Sequence, residues 1–321
     1  MNFLTEFFAT RQITAFNELI PMIKNFMNAL SELDFKKITA LLVTIFQLLG
    51  SFIFDTPVTP YKDSIDMSKF ELVWADEFDN GFDTTIWQGH YVYGNDDTQL
   101  RDTAYWNRDQ VSFTDDGCMK ITVEYKEDGP AGANYYSYGM ETNPNKNYAG
   151  DHVGYEQLYG YFEIRCILPK GKGINPAFWL LTDGMWDDDT DGGVSGAEVD
   201  VLETNTLYDP LDPTFNSVYH TIHVDSYEEA HTAEIAGIFY ADNPYEEFNT
   251  YGVEWNEDEY IFYINGVETF RTSFGGVSQN PEYLILSVEM KGEDGIPSQK
   301  ENAPAEGAEF IVDYVRVYQY K

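Results

Sequence analysis

The spacing of apolar residues changes near residue 56. Through NFLTEFFATRQITAFNELIPMIKNFMNALSELDF, apolar positions recur at helical intervals. The run ITALLVTIFQLLGSFIF, Ile38 to Phe54, is nearly continuous and follows Lys36 and Lys37. At 17 residues, with Thr44 and Gln47 inside it, this run is marginal for a hydrocarbon core of about 30 Å. It is also too far from Met1, and lacks the small-residue cleavage site, for an ordinary signal peptide. Three readings of residues 1–55 stand side by side: an uncleaved membrane anchor or interfacial helix, an atypical export signal, or a helix docked on the next domain. DTPVTPYKDSIDMSK then reads as a Pro-containing linker over residues 56–69.

From Phe70 onward the period is two. YGYFEIRCILP, NSVYHTIHVD, YLILSVEM and EFIVDYVRVYQYK alternate or run apolar, rich in β-branched and aromatic residues, with turn residues between them. In YIFYINGVETF, Asn265 and Gly266 supply the two positive-φ positions of a type I′ turn and predict a hairpin. There is no βαβ spacing and no internal repeat. The predicted class is all-β, two packed antiparallel sheets over residues 70–321, with a short helical N-terminal extension.

Charge narrows the partners. Against 19 Lys+Arg stand 55 Asp+Glu, a formal net charge of -36 that repels nucleic acid and anionic lipid and disfavours heavily sulfated polysaccharides. A neutral partner is expected, although an acidic surface that only keeps an exported protein soluble explains the same number. The 24 Tyr, 22 Phe and 6 Trp suit both strands and sugar-stacking surfaces. Cys118 and Cys166 lie in separate apolar runs without a CxxC or a His cluster, so buried thiols are expected, with a single disulfide as the alternative.

Candidate chemistry concentrates in WDDDTDGGVSGAEVDVLET, Trp186 to Thr204. Asp187, Asp189, Asp191, Gly192 and Glu198 match the twelve-residue calcium loop of an EF-hand. The context fails: neither flank reads as a helix, and no second loop exists to pair with it. A helix-free calcium loop of the three aspartates, or a plain acidic surface loop, remains. Read as a strand, AEVDVLET puts Glu198 and Asp200 on one face and Glu203 on the other. A β-bulge at Val201 or Leu202 would return Glu203 to the shared face. Three carboxylates would then line one surface, as retaining glycoside hydrolysis requires of its nucleophile and general acid. An acidic edge strand is the plainer reading of the same residues.

With these residues in view, the chain resembles family 16 of the glycoside hydrolases over roughly Phe70 to Lys321. The resemblance is carried, in order, by LVWADEFD, YWNRDQVSFTDDGCMKITVEY, YGYFEIRCILPKGKGINPAFWLL, EVDVLE, YGVEWNEDEYIFYINGVETFR and FIVDYVRVYQ. EVDVLE has the longer, bulged form that resembles laminarinases and algal galactan hydrolases. The resemblance implies a β-jelly roll with an open cleft, and it implies Glu198 as nucleophile, Asp200 as its tuning partner and Glu203 as acid/base. It also matches Trp179, Asn107, Arg165 and His220 to substrate-facing positions, with core packing or ion pairing as the other readings. Trp186 is a further candidate for stacking on a sugar, and Trp255 reads as core. Asp313 matches a ligand of a structural calcium on the convex side; no cofactor is implied for catalysis. Tyr161 departs from the commoner YGRFE spelling, and TDGMWDDDTDGGVSG is an insertion that should form a cleft rim. If Glu198 is a free nucleophile, it is not also a bidentate calcium ligand. The expectation is a secreted or surface-tethered, monomeric endo-acting hydrolase of a neutral β-glycan, most simply a β-1,3- or β-1,3(1,4)-glucan. A β-galactan hydrolase, a non-catalytic carbohydrate-binding jelly roll and a transglycosylase are the alternatives.

Overall fold

The period-two segments fold as strands, and among the described residues helical structure is confined to short 3-10 turns. The structure, a computed structural model, describes residues 63–89, 98–100, 104–127, 129, 134–146, 150–186, 191–204, 216–290 and 307–321. The helix, anchor and signal readings of residues 1–55 therefore lie outside the described residues. Among the described residues no helix is long and apolar enough to cross a membrane.

Two sheets form the sandwich. An eleven-stranded sheet is centred on Gly160–Ile167, which lies between Asn249–Trp255 and Ala308–Tyr320. An eight-stranded sheet runs in the order Thr232–Ile235, Ser217–Val224, Glu198–Thr204, Ile174–Leu181, Glu282–Met290, Gly139–Glu141. The pairings are antiparallel except that Ala104–Trp106 runs parallel to Tyr135–Ser137. Alternation sorts the faces. Phe162, Ile164, Cys166, Val312, Val315 and Val317 of one sheet meet Phe178, Leu180, Val199, Ile222, Leu284 and Leu286 of the other in the main core. Trp255 is fully buried there, as its sequence context predicts, and Cys118 and Cys166 are both buried free thiols.

Tyr260–Ile264 and Val267–Thr272 pair through Asn265 and Gly266, whose φ values of 51° and 72° make the expected turn. Val267–Thr272 ends its sheet, and the segment expected as linker covers part of that edge. Ser64 bridges Val267, the Ile65 N–H donates to the Gly266 carbonyl at 2.9 Å, and the Glu268 N–H donates to the Asp63 carbonyl at 3.0 Å. The folded unit thus includes residues 63–69, earlier than the expected start at Phe70, because unpaired edge groups gain hydrogen bonds there.

The outward face of the eleven-stranded sheet corrects one expectation, the place of Arg165. Arg165 points away from the core, pairs with Asp313 and lies over the Phe248 ring at 4.3 Å. It is an ion-pairing residue of the convex surface, one step out of phase with the core-facing Ile164 and Cys166, and not a cleft residue. Asp313 lies on that convex side, at a bulge between Val312 and Tyr314. Its carboxylate is already neutralised by the Arg165 guanidinium, with the Cys118 thiol 3.9 Å away. Calcium needs a shell of six to eight oxygens, and a guanidinium inside that radius fits it poorly. Tyr161, the unusual spelling, is fully buried and donates from its hydroxyl to Glu163 at 2.7 Å.

Candidate active site

The strand Glu198–Thr204 places the acidic residues, and one local irregularity decides where Glu203 points. Against Ser217–Val224, Asp200 faces Thr221 and Glu203 faces Tyr219, so three steps on one strand oppose two on the other. Against Ile174–Leu181, Asp200 faces Trp179 while Leu202 faces Phe178, the same extra residue seen from the other side. Val201 and Leu202 both turn into the core, which offers each an apolar site. This is the expected bulge. It returns Glu203 to the face of Glu198 and Asp200, where the Asn175 amide donates to Glu203 Oε1 at 3.3 Å.

The surroundings of the trio are built from rows across the sheet. Glu198 lies between His223 and Leu181, and Asp200 between Thr221 and Trp179. His223 Nε2 is 3.4 Å from Asp200 Oδ2 and 4.0 Å from Glu198 Oε1, and the Tyr227 hydroxyl donates to Glu198 Oε1. Glu198 and Asp200 are 8% and 4% exposed, so two acids share a site with little water to screen them. Burial, then the Asp200 carboxylate, push Glu198 up to about 8, while His223 and the Tyr227 hydroxyl pull it down. Near neutrality the pair therefore holds a proton between them. Ligand-type atoms of Glu198, Asp200 and His223 lie within 4.8 Å of one another, the spacing of a cation site. With the Tyr227 hydroxyl on Glu198 and a proton within the pair, the group has the chemistry of a proton-sharing carboxylate pair.

One neighbouring acid is structural. Glu282 is fully buried, and burial raises it to about 8, against the opposing pull of Ser278 and the Ala197 N–H. The folded chain then keeps a proton that the unfolded chain releases above its ordinary value near 4.5. Stability falls as pH rises from about 4.5 to about 8 and levels off above that. Glu282→Gln is expected to melt higher than the parent at pH 8 and alike at pH 4.5, by up to about 1.4 kcal/mol per unit across the window. Parallel melting curves against pH would count against this.

His220, expected at a substrate-facing position, is structural, and His223 stands at the carboxylates instead. Three residues apart on one strand, they face opposite ways. His220 is fully buried between Phe239 and Phe262, with Nδ1 2.8 Å from the Val201 carbonyl and Nε2 3.0 Å from Thr269 Oγ1. Burial pushes it down to about 4, so it is a neutral strut beneath the bulge and not a cleft residue. His223 meets the carboxylates. The alternation of Val218, Ile222 and Val224 against Tyr219, Thr221 and His223 carried that information in the sequence.

Trp179 shares the carboxylate face as expected, but it is 4% exposed in a second cluster with Trp106, Ala177, Leu181, Met185, Tyr283 and Ile285. Its Nε1 lies 3.2 Å from Ser287 Oγ. It forms the floor beside Asp200 and presents no open ring. Asn107 follows Trp106, at the margin of this cluster, and its Oδ1 accepts the Asp109 N–H at 2.8 Å. Trp186 ends the 3-10 turn Asp183–Trp186 and is 40% exposed, available for contact. Asp187 and Asp189 lie outside the described residues. Asp191 accepts from the Ser195 hydroxyl at 3.0 Å. Tyr227 and His231, which also border Glu198 and His223, carried no signal in the sequence beyond a polar turn after an apolar strand.

Comparison with known proteins agrees with this geometry. The profile of Glycosyl hydrolases family 16 matches residues 98–305. The chain is 26% identical over 273 residues to a beta-glucanase of Rhodothermus marinus, covering 78% of this chain and 86% of that protein. It is 30% identical over 278 residues to the endo-1,3-1,4-beta-glycanase EglC of Rhizobium meliloti, covering 82% of this chain but only 52% of that longer protein. The laminarinase catalytic domain of Thermotoga maritima superposes with a TM-score of 0.59 at 26% identity, covering 79% of this chain and 99% of that domain. The bulged carboxylate strand thus sits in a jelly roll shared with these proteins, and the chain belongs to the glycosyl hydrolases family 16.

Proposed function

We propose that the chain is an endo-acting, retaining β-glucan hydrolase, acting on β-1,3- or mixed-linkage β-1,3(1,4)-glucan outside the cell. The observation that carries this reading is the bulge that gathers Glu198, Asp200 and Glu203 on one face. Family membership supplies the reaction type, and the relatives named for glucan supply the polymer. The charge of -36 favours a neutral chain over a sulfated one and suits an exported protein.

In the first displacement Glu203 gives its proton to the glycosidic oxygen as the bond from that oxygen to C1 breaks, and a Glu198 oxygen bonds C1. In the second, Glu203 takes a proton from water, the water oxygen bonds C1, and Glu198 leaves as carboxylate. The sugar ends with its original configuration. Glu198 attacks as the anion, with Asp200 beside it as its tuning partner.

The test incubates the full chain separately with laminarin, barley mixed-linkage glucan and agarose and follows products by mass spectrometry and proton NMR. Expected are oligosaccharides of mixed size at early times from one or both glucans, with the β-anomer formed first. No products from either glucan, or the α-anomer first, would overturn the reading.

A further inference from the structure

Beside the carboxylates stands a stack of rings that the double displacement, as written above, does not use. The turn that follows Ser217–Val224 reverses through Asp225 and Ser226, whose φ values of 62° and 59° put two successive non-glycine residues in the left-handed region. Such a conformation is costly for a residue with a Cβ and persists only where the surroundings hold it. Here Asp225 Oδ1 accepts the Gly192 N–H at 2.9 Å, and the Gly193 N–H donates to the Gly275 carbonyl at 2.7 Å. Gly192, at φ 67°, has no room for a Cβ against the Gly275 carbonyl. Residues 191–196, the described end of the acidic insertion, are thereby fastened to the turn through a glycine that no other residue replaces.

The turn aims Tyr227 at Glu198 and stacks the rings behind it. Tyr227 lies 4.9 Å from His231 at 28°, and His231 lies 5.1 Å from His223 at 9°. His223 Nδ1 is 2.9 Å from His231 Nε2, so one of the two nitrogens donates. Burial and the neighbouring His223 lower His231, against the pull of Asp225. His223 Nε2 in turn lies 3.4 Å from Asp200 Oδ2 and 4.0 Å from Glu198 Oε1, and His223 pulls Glu198 down. The Tyr227 hydroxyl acts in the same direction, since a donor favours the charged carboxylate.

Resting on the function proposed above, we infer that Tyr227, His223 and His231 are a positioning network that favours the ionised form of Glu198 beside Asp200, with Gly192 as its anchor. The other groups bearing on Glu198 all disfavour its anion or lie farther off. Glu203 on the same strand adds negative charge, and Tyr283 and Glu282 of Glu282–Met290 are buried groups held neutral. Asp225 acts on His231 from outside the stack. The ring stack is thus the feature that favours the Glu198 anion.

The experiment compares kcat and KM against pH for the full chain and three variants on the glucan it cleaves. Tyr227→Phe keeps the ring and removes the donor; kcat should fall about tenfold with KM within about twofold, and the acid limb of kcat/KM should move up by about one pH unit. His231→Ala removes the partner that holds His223 beside the carboxylates and should move the limb the same way, while His231→Gln, which retains a hydrogen-bonding group, should recover most of it. A purely structural role would change melting temperature and leave the limb in place. Superimposable pH profiles for Tyr227→Phe and the parent, or a loss confined to KM, overturn the inference. Should His231→Ala not fold, the Tyr227→Phe profile decides alone. Persistent turnover in Glu198→Gln would instead overturn the carboxylate assignment beneath it.

Discussion

Glu198→Gln is expected to lower kcat on β-glucan by about 10⁴-fold or more while the protein stays folded. Glutamine matches the carboxylate in shape and still accepts the Tyr227 hydroxyl through its carbonyl, so binding and packing persist. What is lost is the oxygen that must bond C1 and later depart as carboxylate, for which an amide has no equivalent. The stability change has a definite sign. Burial and Asp200 hold Glu198 up near 8, so the folded state binds a proton that the unfolded chain releases above about 4.5. Folding is thus disfavoured progressively from about pH 4.5 to about 8, and a neutral isostere removes that loss. The variant should melt no lower than the parent at pH 7. Mass spectrometry with a slow fluorinated substrate provides the chemical check: the parent should carry one covalent glycosyl group and the variant none. More than a few per cent of parental turnover in the variant would remove Glu198 from the mechanism.

Glu203→Ala should cost about 10² to 10⁴ in kcat on the polymer, the usual contribution of a general acid and base. The loss should depend on the leaving group, which separates this residue from Glu198. A sugar leaving group needs the proton, whereas a nitrophenolate leaves without it. On a nitrophenyl glucoside the first displacement should stay near the parental rate and a burst should appear, because water then attacks the glycosyl-enzyme without a base. Azide needs no base and can enter the space vacated by the side chain, restoring turnover and giving a β-glycosyl azide. The Asn175 amide, 3.3 Å from Glu203 Oε1, would be left facing that space. A uniform loss on both substrates with no azide effect would make Glu203 a binding residue.

Much of the fold was legible because strand period and turn chemistry are local. Asn265-Gly266 made its hairpin, and the segments around Ile164, Val315 and Leu284 alternated or ran apolar as their positions in the two sheets require. The site was legible in part for the same reason. EVDVLE in period two leaves Glu203 on the wrong face, so the spacing itself demanded a bulge, and the structure has it between Asp200 and Glu203. Resemblance and strand parity disagree at two positions. His220 shares the core side with Val218 and Ile222, and Arg165 falls on the side opposite Ile164 and Cys166; in both cases alternation named the correct face.

The sequence alone carried the β-strands, the faces most of them bury, and the spacing of three acids for a bulged strand, since each depends on residues within one strand or turn. Only the tertiary structure decided which groups surround those acids. Arg165 reaches Asp313 across 148 positions, Trp179 is buried in one cluster with Trp106, and Tyr227 meets Glu198 through a left-handed turn fastened to Gly192. Contacts between distant strands and loops leave no periodic trace, because the free energy that selects them comes from burial and hydrogen bonding in the assembled sandwich.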